Sequence, residues 1–169
     1  MKNEKISIPI TRKFVSYAIF FTALLSSFVL YKAFTPNSLP LERERKMVGE
    51  IERIQTKTFE PKLCVQYALV VLVEGWFVCY NGEIPTIYLK RGEVWKYGKT
   101  CLGQDKRYPN GLPDDRLIFK VEFTGTEEQC LIIEKQKIYN YYLLPENIER
   151  AARSGTKPLV RPPGNKIDR

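Results

Sequence analysis

With 169 residues, 44% of them hydrophobic, the chain is long enough for one domain with a real core plus some non-globular sequence. Its 27 lysine and arginine residues outnumber its 19 aspartate and glutamate residues and leave a net charge of +8. This charge favours an anionic partner, nucleic acid or a membrane surface, without choosing between them. The absence of histidine and of any C-x-x-C pair argues against the usual zinc sites.

The four cysteines are widely spaced along the chain, at Cys64, Cys79, Cys101 and Cys130. They allow two disulfides if the domain is exported, and they allow four reduced thiols equally well in a cytosol. The spacing leaves both alternatives open.

A hydrophobic run near the N-terminus follows a short basic leader at residues 1–13. Residues 14–31 carry no charge and lie between Lys13 and Lys32. As a helix the run would measure about 27 Å, close to the ~30 Å hydrocarbon core of a bilayer. A cleaved signal peptide is the alternative, but no clear small-x-small cleavage site precedes Lys32. We therefore predict an uncleaved transmembrane helix at residues 14–32.

The orientation of this helix is harder to predict. Tyr17 and Tyr31 lie near its two ends, where amphipathic rings prefer to sit. Basic residues flank both ends in similar number, so the positive-inside count is nearly tied. We expect a single-pass membrane protein with its soluble domain in the cytoplasm, although the charges leave the topology ambiguous.

Residues 33–62 are predicted to form a linker or juxtamembrane segment. Residues 33–40 contain Pro36 and Pro40 and are typical of a connector. Residues 41–57 are heavily charged, with apolar residues at helical spacing. This pattern fits either a helix beside the membrane or the first strand of the soluble domain.

From residue 63 to residue 147 the pattern is that of a small folded domain. Runs rich in β-branched and aromatic residues, bounded by turn signals such as Asn81-Gly82, predict strands. The predicted strands are residues 63–73, 76–80, 87–90, 93–97 and 117–123. Residues 98–107 begin with glycine and predict a loop that enters a short helix.

A longer helix is predicted at residues 126–140. Thr126 and Gln129 match a capping box at its start. Glu128 lies in the first turn, where the helix dipole favours an ionised carboxylate. Such a carboxylate can hold a divalent cation, and it can equally serve only to cap the helix.

These elements predict an α+β fold class, with an antiparallel sheet flanked by helices at residues 63–147. The transmembrane helix would precede this domain. A basic, proline-containing tail at residues 148–169 would follow it and either wrap the domain surface or trail free.

Three groups of residues are candidates for chemistry. The first is Gly-Trp-Phe at residues 75–77, and the second is Trp-Lys-Tyr-Gly-Lys-Thr at residues 95–100, followed by Arg107. The third is the helix that begins E-x-x-L-I at Glu128 and ends Y-N at Asn140.

This ordered set resembles the GIY-YIG nuclease superfamily. In that family a G-x-Y strand and a Y-x-G strand end side by side, an arginine follows on the first helix, and a glutamate lies on a later helix. The resemblance covers residues 75–140, with Gly75 and Gly98 as the motif glycines. It implies a GIY-YIG-like domain at residues 63–147.

The resemblance also implies roles for particular side chains. Glu128 would hold a single Mg²⁺ or Mn²⁺ against the phosphate and the leaving oxygen. Arg107 would pair with the scissile phosphate, a task suited to its planar fork. Lys96 or Lys99 would add positive charge and could position or deprotonate the attacking water. Asn140 would orient a phosphate or close the helix end.

The sequence departs from the family pattern at two positions. Phe77 and Lys96 stand where tyrosines are expected, so the hydroxyl that would activate water is missing there. Tyr80, Tyr97 or Tyr108 could take its place in space.

The function predicted from the sequence is that of an endonuclease of the GIY-YIG type, anchored to a membrane through residues 14–32, which cleaves DNA with a divalent metal. One alternative is a catalytically inactive domain of the same fold that binds nucleic acid. Another is a membrane or envelope interaction protein, whose charges serve anionic lipid headgroups or a partner protein. The sequence predicts no oligomeric state.

Overall fold

Four α-helices and five strands make up the part of the chain that the computed structural model describes, residues 38–81 and 85–168. The helices are α1 (Leu41–Gln55), α2 (Gly103–Arg107), α3 (Glu127–Asn140) and α4 (Pro145–Ser154), with a 3₁₀ turn at Tyr141–Leu143. The strands are β1 (Leu63–Val71), β2 (Gly75–Val78), β3 (Thr86–Leu89), β4 (Val94–Thr100) and β5 (Leu117–Thr126). The predicted α+β class, with an antiparallel sheet and helices, is confirmed.

Strand β1 is the centre of the main sheet. Both β4 and β5 pair with it antiparallel, in the order β4-β1-β5. Its run of nearly continuous apolar residues is what a strand covered on both faces requires. Strands β2 and β3 pair with each other in a separate two-stranded sheet.

Two hydrophobic clusters form on the main sheet, because successive side chains of a strand point to opposite sides. Tyr67 and Leu69 of β1 enter one cluster together with Trp95 of β4. Ala68, which lies between them in sequence, enters the other cluster with Ile138 of α3. Helix α3 therefore packs on the face of the sheet opposite to Tyr67.

The predicted capping box at the start of α3 is present. The Gln129 backbone N–H donates to the Thr126 hydroxyl (3.2 Å), and the Thr126 N–H donates to the Gln129 side chain (3.0 Å). Because β5 ends at Thr126, the cap fixes the point at which the chain turns from strand to helix.

Residues 41–55, within the predicted linker at residues 33–62, form helix α1. The Arg43 guanidinium donates to the carbonyl oxygens of Ile138 (3.2 Å) and Tyr139 (3.1 Å), near the end of α3. It also lies over the Tyr139 ring at 4.6 Å. These contacts satisfy carbonyls at the negative end of the helix dipole, so α1 packs as part of the folded domain.

The predicted single-pass membrane protein requires a correction. No helix among residues 38–81 and 85–168 is long and apolar enough to cross a bilayer. The longest described helix, α1, has 15 residues, which span only about 22 Å, and it is strongly charged. The run at residues 14–32, on which the prediction rested, lies outside the described residues, as does the leader at residues 1–13. We therefore withdraw the predicted transmembrane helix and membrane localisation.

The last described segment, residues 159–168, lies against β4, and we name it the C-terminal strap. The Asn165 side chain accepts a hydrogen bond from the Tyr97 N–H and donates one to the Tyr97 carbonyl, both at 3.0 Å. The Gly164 N–H donates to the Trp95 carbonyl at 2.7 Å. The strap thus forms hydrogen bonds with backbone groups of β4 that an edge strand would otherwise leave unpaired. The predicted proline-containing tail is therefore folded onto the domain, and α4 forms its first part.

One disulfide joins Cys64, near the start of β1, to Cys101, which follows β4. Cys79 and Cys130 are buried thiols. The cysteines therefore match neither predicted alternative in full. The disulfide fastens the end of β4 directly before α2, the helix that carries Arg107.

Candidate functional site

The pairing of β1 with β4 places Tyr67 directly opposite Gly98. A Cβ atom built on Gly98 would lie 2.4 Å from the Tyr67 hydroxyl oxygen and 2.5 Å from the ring carbon that carries it. No side chain larger than hydrogen fits at this position. The glycine is therefore required by the space that the Tyr67 phenol occupies.

The Tyr67 hydroxyl shares a hydrogen bond with the hydroxyl of Tyr108, with 2.8 Å between the two oxygens. Phe119 stacks on the Tyr67 ring at 4.2 Å and holds its orientation. Burial raises the pKa of Tyr108 above its usual value, and the hydrogen bond to Tyr67 adds to this effect. Tyr108 therefore stays protonated at neutral pH and can donate a hydrogen bond.

Arg107 is the last residue of α2 and directly precedes Tyr108. Hydrogen bonding with the Tyr67 hydroxyl raises the pKa of Arg107, so the guanidinium lies beside the two tyrosines. The residue is exposed. An anion can therefore reach this guanidinium from solvent.

Glu134 lies in the middle of α3 and is only 8% exposed. Among the described residues its carboxylate has no ion pair and no hydrogen-bond partner. Burial raises the pKa of Glu134, while the charges of Lys135, Lys99, Arg107 and Lys96 lower it. A buried carboxylate without a direct partner is costly, and groups of this kind gather at functional sites.

The spacing of α3 contains a signal for Glu134. Cys130, Glu134 and Ile138 are four residues apart and form one buried stripe of the helix. A carboxylate on an inward-facing stripe is a less ordinary feature than one in a first turn. The prediction favoured Glu128 because its position also matched the start of an E-x-x-L-I motif.

Lys96 joins this group from β4, two residues before Gly98 and therefore on the same side of the strand. Burial lowers the pKa of Lys96, and the positive charges of Arg107 and Lys166 lower it further, while Glu134 raises it. Groups from β4, α2, α3 and the C-terminal strap therefore influence one another here.

We define the candidate site as Tyr67, Lys96, Arg107 and Tyr108, which belong to one face of the main sheet, together with Glu134 of α3, which packs on the other face and is linked to Lys96 and Arg107 through their charges. Its two cations suit phosphate oxygens, and its hydroxyl groups can hold a water molecule. Its carboxylate fits a hydrated Mg²⁺ or Mn²⁺, since such ions bind through one or two carboxylates plus waters and substrate phosphates. The group thus offers cations that suit a phosphate ester, at Lys96 and Arg107, and a carboxylate that suits a metal ion, at Glu134.

Three further predicted site residues, Lys99, Glu128 and Asn140, belong to β4 and α3. Glu128 is half-buried in the first turn of α3 and has no ion pair among the described residues. Lys99 forms an ion pair with Glu127, and its ammonium lies 3.6 Å from the Cys101 sulfur. Asn140 is exposed at the end of α3. Of the three, the structure brings Lys99 into electrostatic reach of the Glu134 carboxylate.

The residues of the first predicted motif do not lie beside those of the second. Gly75 and Phe77 belong to β2, which pairs with β3. Arg116 lies over the Phe77 ring at 4.3 Å, and a Cβ on Gly75 would lie 2.5 Å from an Arg116 nitrogen. The predicted side-by-side ending of these two motif strands is therefore corrected. The strand beside Gly98 is β1, because its apolar run can be buried on both faces.

The tyrosines proposed as substitutes lie in three different places. Tyr80 is exposed, with the Lys166 ammonium 4.9 Å above its ring. Tyr97 points to the opposite face from Gly98 and is buried there, which raises the pKa of its hydroxyl. Tyr108 is the one whose hydroxyl belongs to the candidate site.

Replacing Gly98 by alanine should displace Tyr67, because a methyl group cannot fit 2.4 Å from the hydroxyl oxygen. We expect Gly98→Ala to lower the free energy of unfolding by about 1–3 kcal/mol, the usual cost of overpacking. Urea unfolding measures this. Gly49→Ala is the matched control, since nothing lies within 4 Å of its Cβ position in α1. The control should stabilise the domain by about 0.5–1 kcal/mol, and equal effects of the two substitutions would contradict the contact.

Comparisons with models of protein families, with curated proteins and with solved structures found no match to this chain. The resemblance to GIY-YIG nucleases stays a prediction.

Proposed function

We propose that this domain is a metal-dependent endonuclease of the GIY-YIG type that cleaves phosphodiester bonds in DNA. The observation that carries the proposal is the buried Glu134 carboxylate, which has no ion pair among the described residues and whose pKa is raised by burial and lowered by the charges of Lys135, Lys99, Arg107 and Lys96. Phosphoryl transfer depends on positioning and on stabilising negative charge, and this group of side chains is suited to both tasks.

Glu134 takes the metal-binding role that the resemblance assigned to Glu128. It offers one carboxylate and leaves the remaining coordination positions to waters and phosphate oxygens, as Mg²⁺ usually requires. When bound, the ion would supply Lewis-acid stabilisation of the leaving oxygen. The surrounding cations, Lys96, Lys99 and Arg107, oppose a bare metal ion and favour a phosphate anion. We therefore expect metal and substrate to bind together more tightly than either binds alone.

Arg107 is suited to the scissile phosphate because its planar guanidinium can donate two parallel hydrogen bonds to phosphate oxygens. Its interaction with the Tyr67 hydroxyl orients the guanidinium from one side. The exposed side of the same group is open to the substrate.

Lys96 is better suited than Tyr108 to accept a proton from the attacking water. Burial and the nearby Arg107 charge lower the pKa of Lys96, which increases its neutral fraction near physiological pH. The raised pKa of Tyr108 keeps its hydroxyl protonated. In this proposal Tyr67 and Tyr108 hold the water by hydrogen bonds while Lys96 takes its proton.

The catalytically inactive alternative depended on the missing tyrosine at Phe77. Because β1 is the strand beside Gly98, Tyr67 supplies a hydroxyl on that strand, and this objection no longer applies. A domain that only bound nucleic acid would gain nothing from burying Glu134 without a direct partner, since that burial costs stability.

Glu134→Gln should reduce nicking of plasmid DNA by the full chain in Mg²⁺ or Mn²⁺ by about 100-fold or more, because the amide keeps the shape and loses the charge that binds the metal. Glu128→Gln is the matched control on the same helix and should retain near wild-type nicking. Loss of activity in the control with retention in Glu134→Gln would return the metal role to Glu128. Unchanged nicking in both variants would reject the proposed metal site.

The same substitution should make the folded domain more stable at neutral pH. Burial raises the folded-state pKa of Glu134 above its unfolded value, so the wild-type chain loses stability as pH rises through that range. The gain from Glu134→Gln is expected at pH 7 and should disappear below about pH 4, where the carboxyl group is protonated in both states. Urea unfolding at the two pH values measures it. A glutamine variant less stable than wild type at pH 7 would show that Glu134 has a stabilising partner.

A further inference from the structure

A second concave feature lies between the β2–β3 hairpin and α4. It is a cleft of about 670 Å³, within the roughly 300–1,000 Å³ range of small-ligand sites. Its walls include Trp76 and Tyr88 from the hairpin, Arg150 and Ala151 from α4, and Lys157 from the segment after α4. None of the five candidate-site residues lines it.

The aromatic wall of the cleft is open to solvent. Trp76 and Tyr88 are directly paired across the hairpin, with their rings 5.7 Å apart in an edge-on arrangement. Trp76 is 64% exposed and Tyr88 is 40% exposed. Exposed aromatic faces beside a cleft are unfavourable in water and available for stacking.

The charged wall of the cleft is entirely cationic. Arg150 and Lys157 line it, and no carboxylate does so among the described residues. Glu93 holds Arg150 in place through an ion pair of 2.7 Å. The Nε atom of Arg150 is nevertheless buried without a hydrogen-bond partner in the described part of the chain. Flat aromatic faces next to cations are the chemistry that binds a base together with its phosphate.

The C-terminal strap connects this cleft to the candidate site. Leu159 lines the cleft, and Lys166 influences Lys96 at the candidate site. The seven Cα–Cα steps from Leu159 to Lys166 span at most about 25 Å. A stacked nucleic-acid strand rises about 3.4 Å per nucleotide, so about seven nucleotides cover the same distance.

We propose that the cleft binds one unpaired base of the nucleic-acid strand whose phosphate occupies the candidate site, an inference that rests on the proposed function. Trp76 stacks on the base, and Lys157 contacts the adjoining phosphate. The domain would then prefer substrates with a single-stranded or flipped-out nucleotide a few positions from the cleaved bond. A base in a continuous duplex, stacked between its neighbours, cannot enter such a cleft.

The test measures binding of the full chain, in metal-free buffer, to a single-stranded oligonucleotide of about 12 nucleotides and to its abasic counterpart with the same phosphates. Fluorescence polarisation of end-labelled strands gives both affinities. We expect the base-containing strand to bind about tenfold tighter, since one stacked base contributes a factor of roughly 5 to 150. Trp76→Ala should remove this preference and leave abasic binding unchanged. Val78→Ala, which is exposed on the same strand and does not line the cleft, is the matched control.

Equal affinities of the wild-type chain for the two strands would overturn the proposal. A protein partner would then be the better candidate for the cleft. A base preference that persists in Trp76→Ala would also overturn it. Displacement of the strand by a free mononucleotide as readily as by the 12-mer would assign the cleft to a soluble nucleotide instead. Because these measurements need no cleavage, they are independent of the nicking assay. A preference for the base-containing strand without any nicking would reject the proposed endonuclease activity and support the base-binding cleft.

Discussion

The antiparallel pairing of β1 with β4 is the constraint on which the candidate site depends. It sets Tyr67 opposite Gly98, and the phenol then occupies space that any larger residue at Gly98 would take. From there the Tyr67 hydroxyl reaches both Tyr108 and Arg107, which lie at the end of α2. A shift of one residue in this register would place Tyr67 on the other face of the sheet, away from Tyr108 and Arg107.

The arrangement of charge explains why the site is suited to a phosphate. Cations of β4 and α2 act on the Glu134 carboxylate, and in the described part of the chain neither Lys96, Lys99 nor Arg107 forms an ion pair with it. The folded domain therefore tolerates two unfavourable features, a buried carboxylate and several positive charges that repel one another. In the proposed function, a metal ion bound to a phosphate ester would relieve both, since the ion would neutralise the carboxylate and the phosphate would neutralise the cations. Stability given up in this way is typical of a functional site.

The sequence predicted the elements whose formation depends on local residue patterns. It was misleading where the pairing of distant strands determines the structure. Periodicity and capping chemistry predicted α3 within a residue of its observed bounds, and the apolar run at residues 63–73 predicted β1. The strand that pairs with β4 could not be predicted from the sequence. Gly75 and Phe77 match the pattern of a motif strand locally, whereas the order of strands in the sheet is set by burial. Glu134 was missed although it shares its four-residue spacing with Cys130 and Ile138, since that stripe mixes polar and apolar residues and the packed helix shows that it is buried. The sequence left open whether the tail wraps the domain or trails free, because the hydrogen bonds that hold the strap at residues 159–168 are to residues far away in sequence.

The central claim is that Glu134 holds a divalent cation beside a phosphate bound by Arg107. Its most direct test is a crystal of the full chain soaked with Mn²⁺ and a phosphorothioate oligonucleotide that resists cleavage, with anomalous scattering used to locate the metal. The account predicts a manganese peak at coordination distance from the Glu134 carboxylate, about 2.0–2.3 Å, with a phosphate oxygen on the same ion. A peak at Glu128 instead, or an oligonucleotide bound with no metal at Glu134, would contradict it.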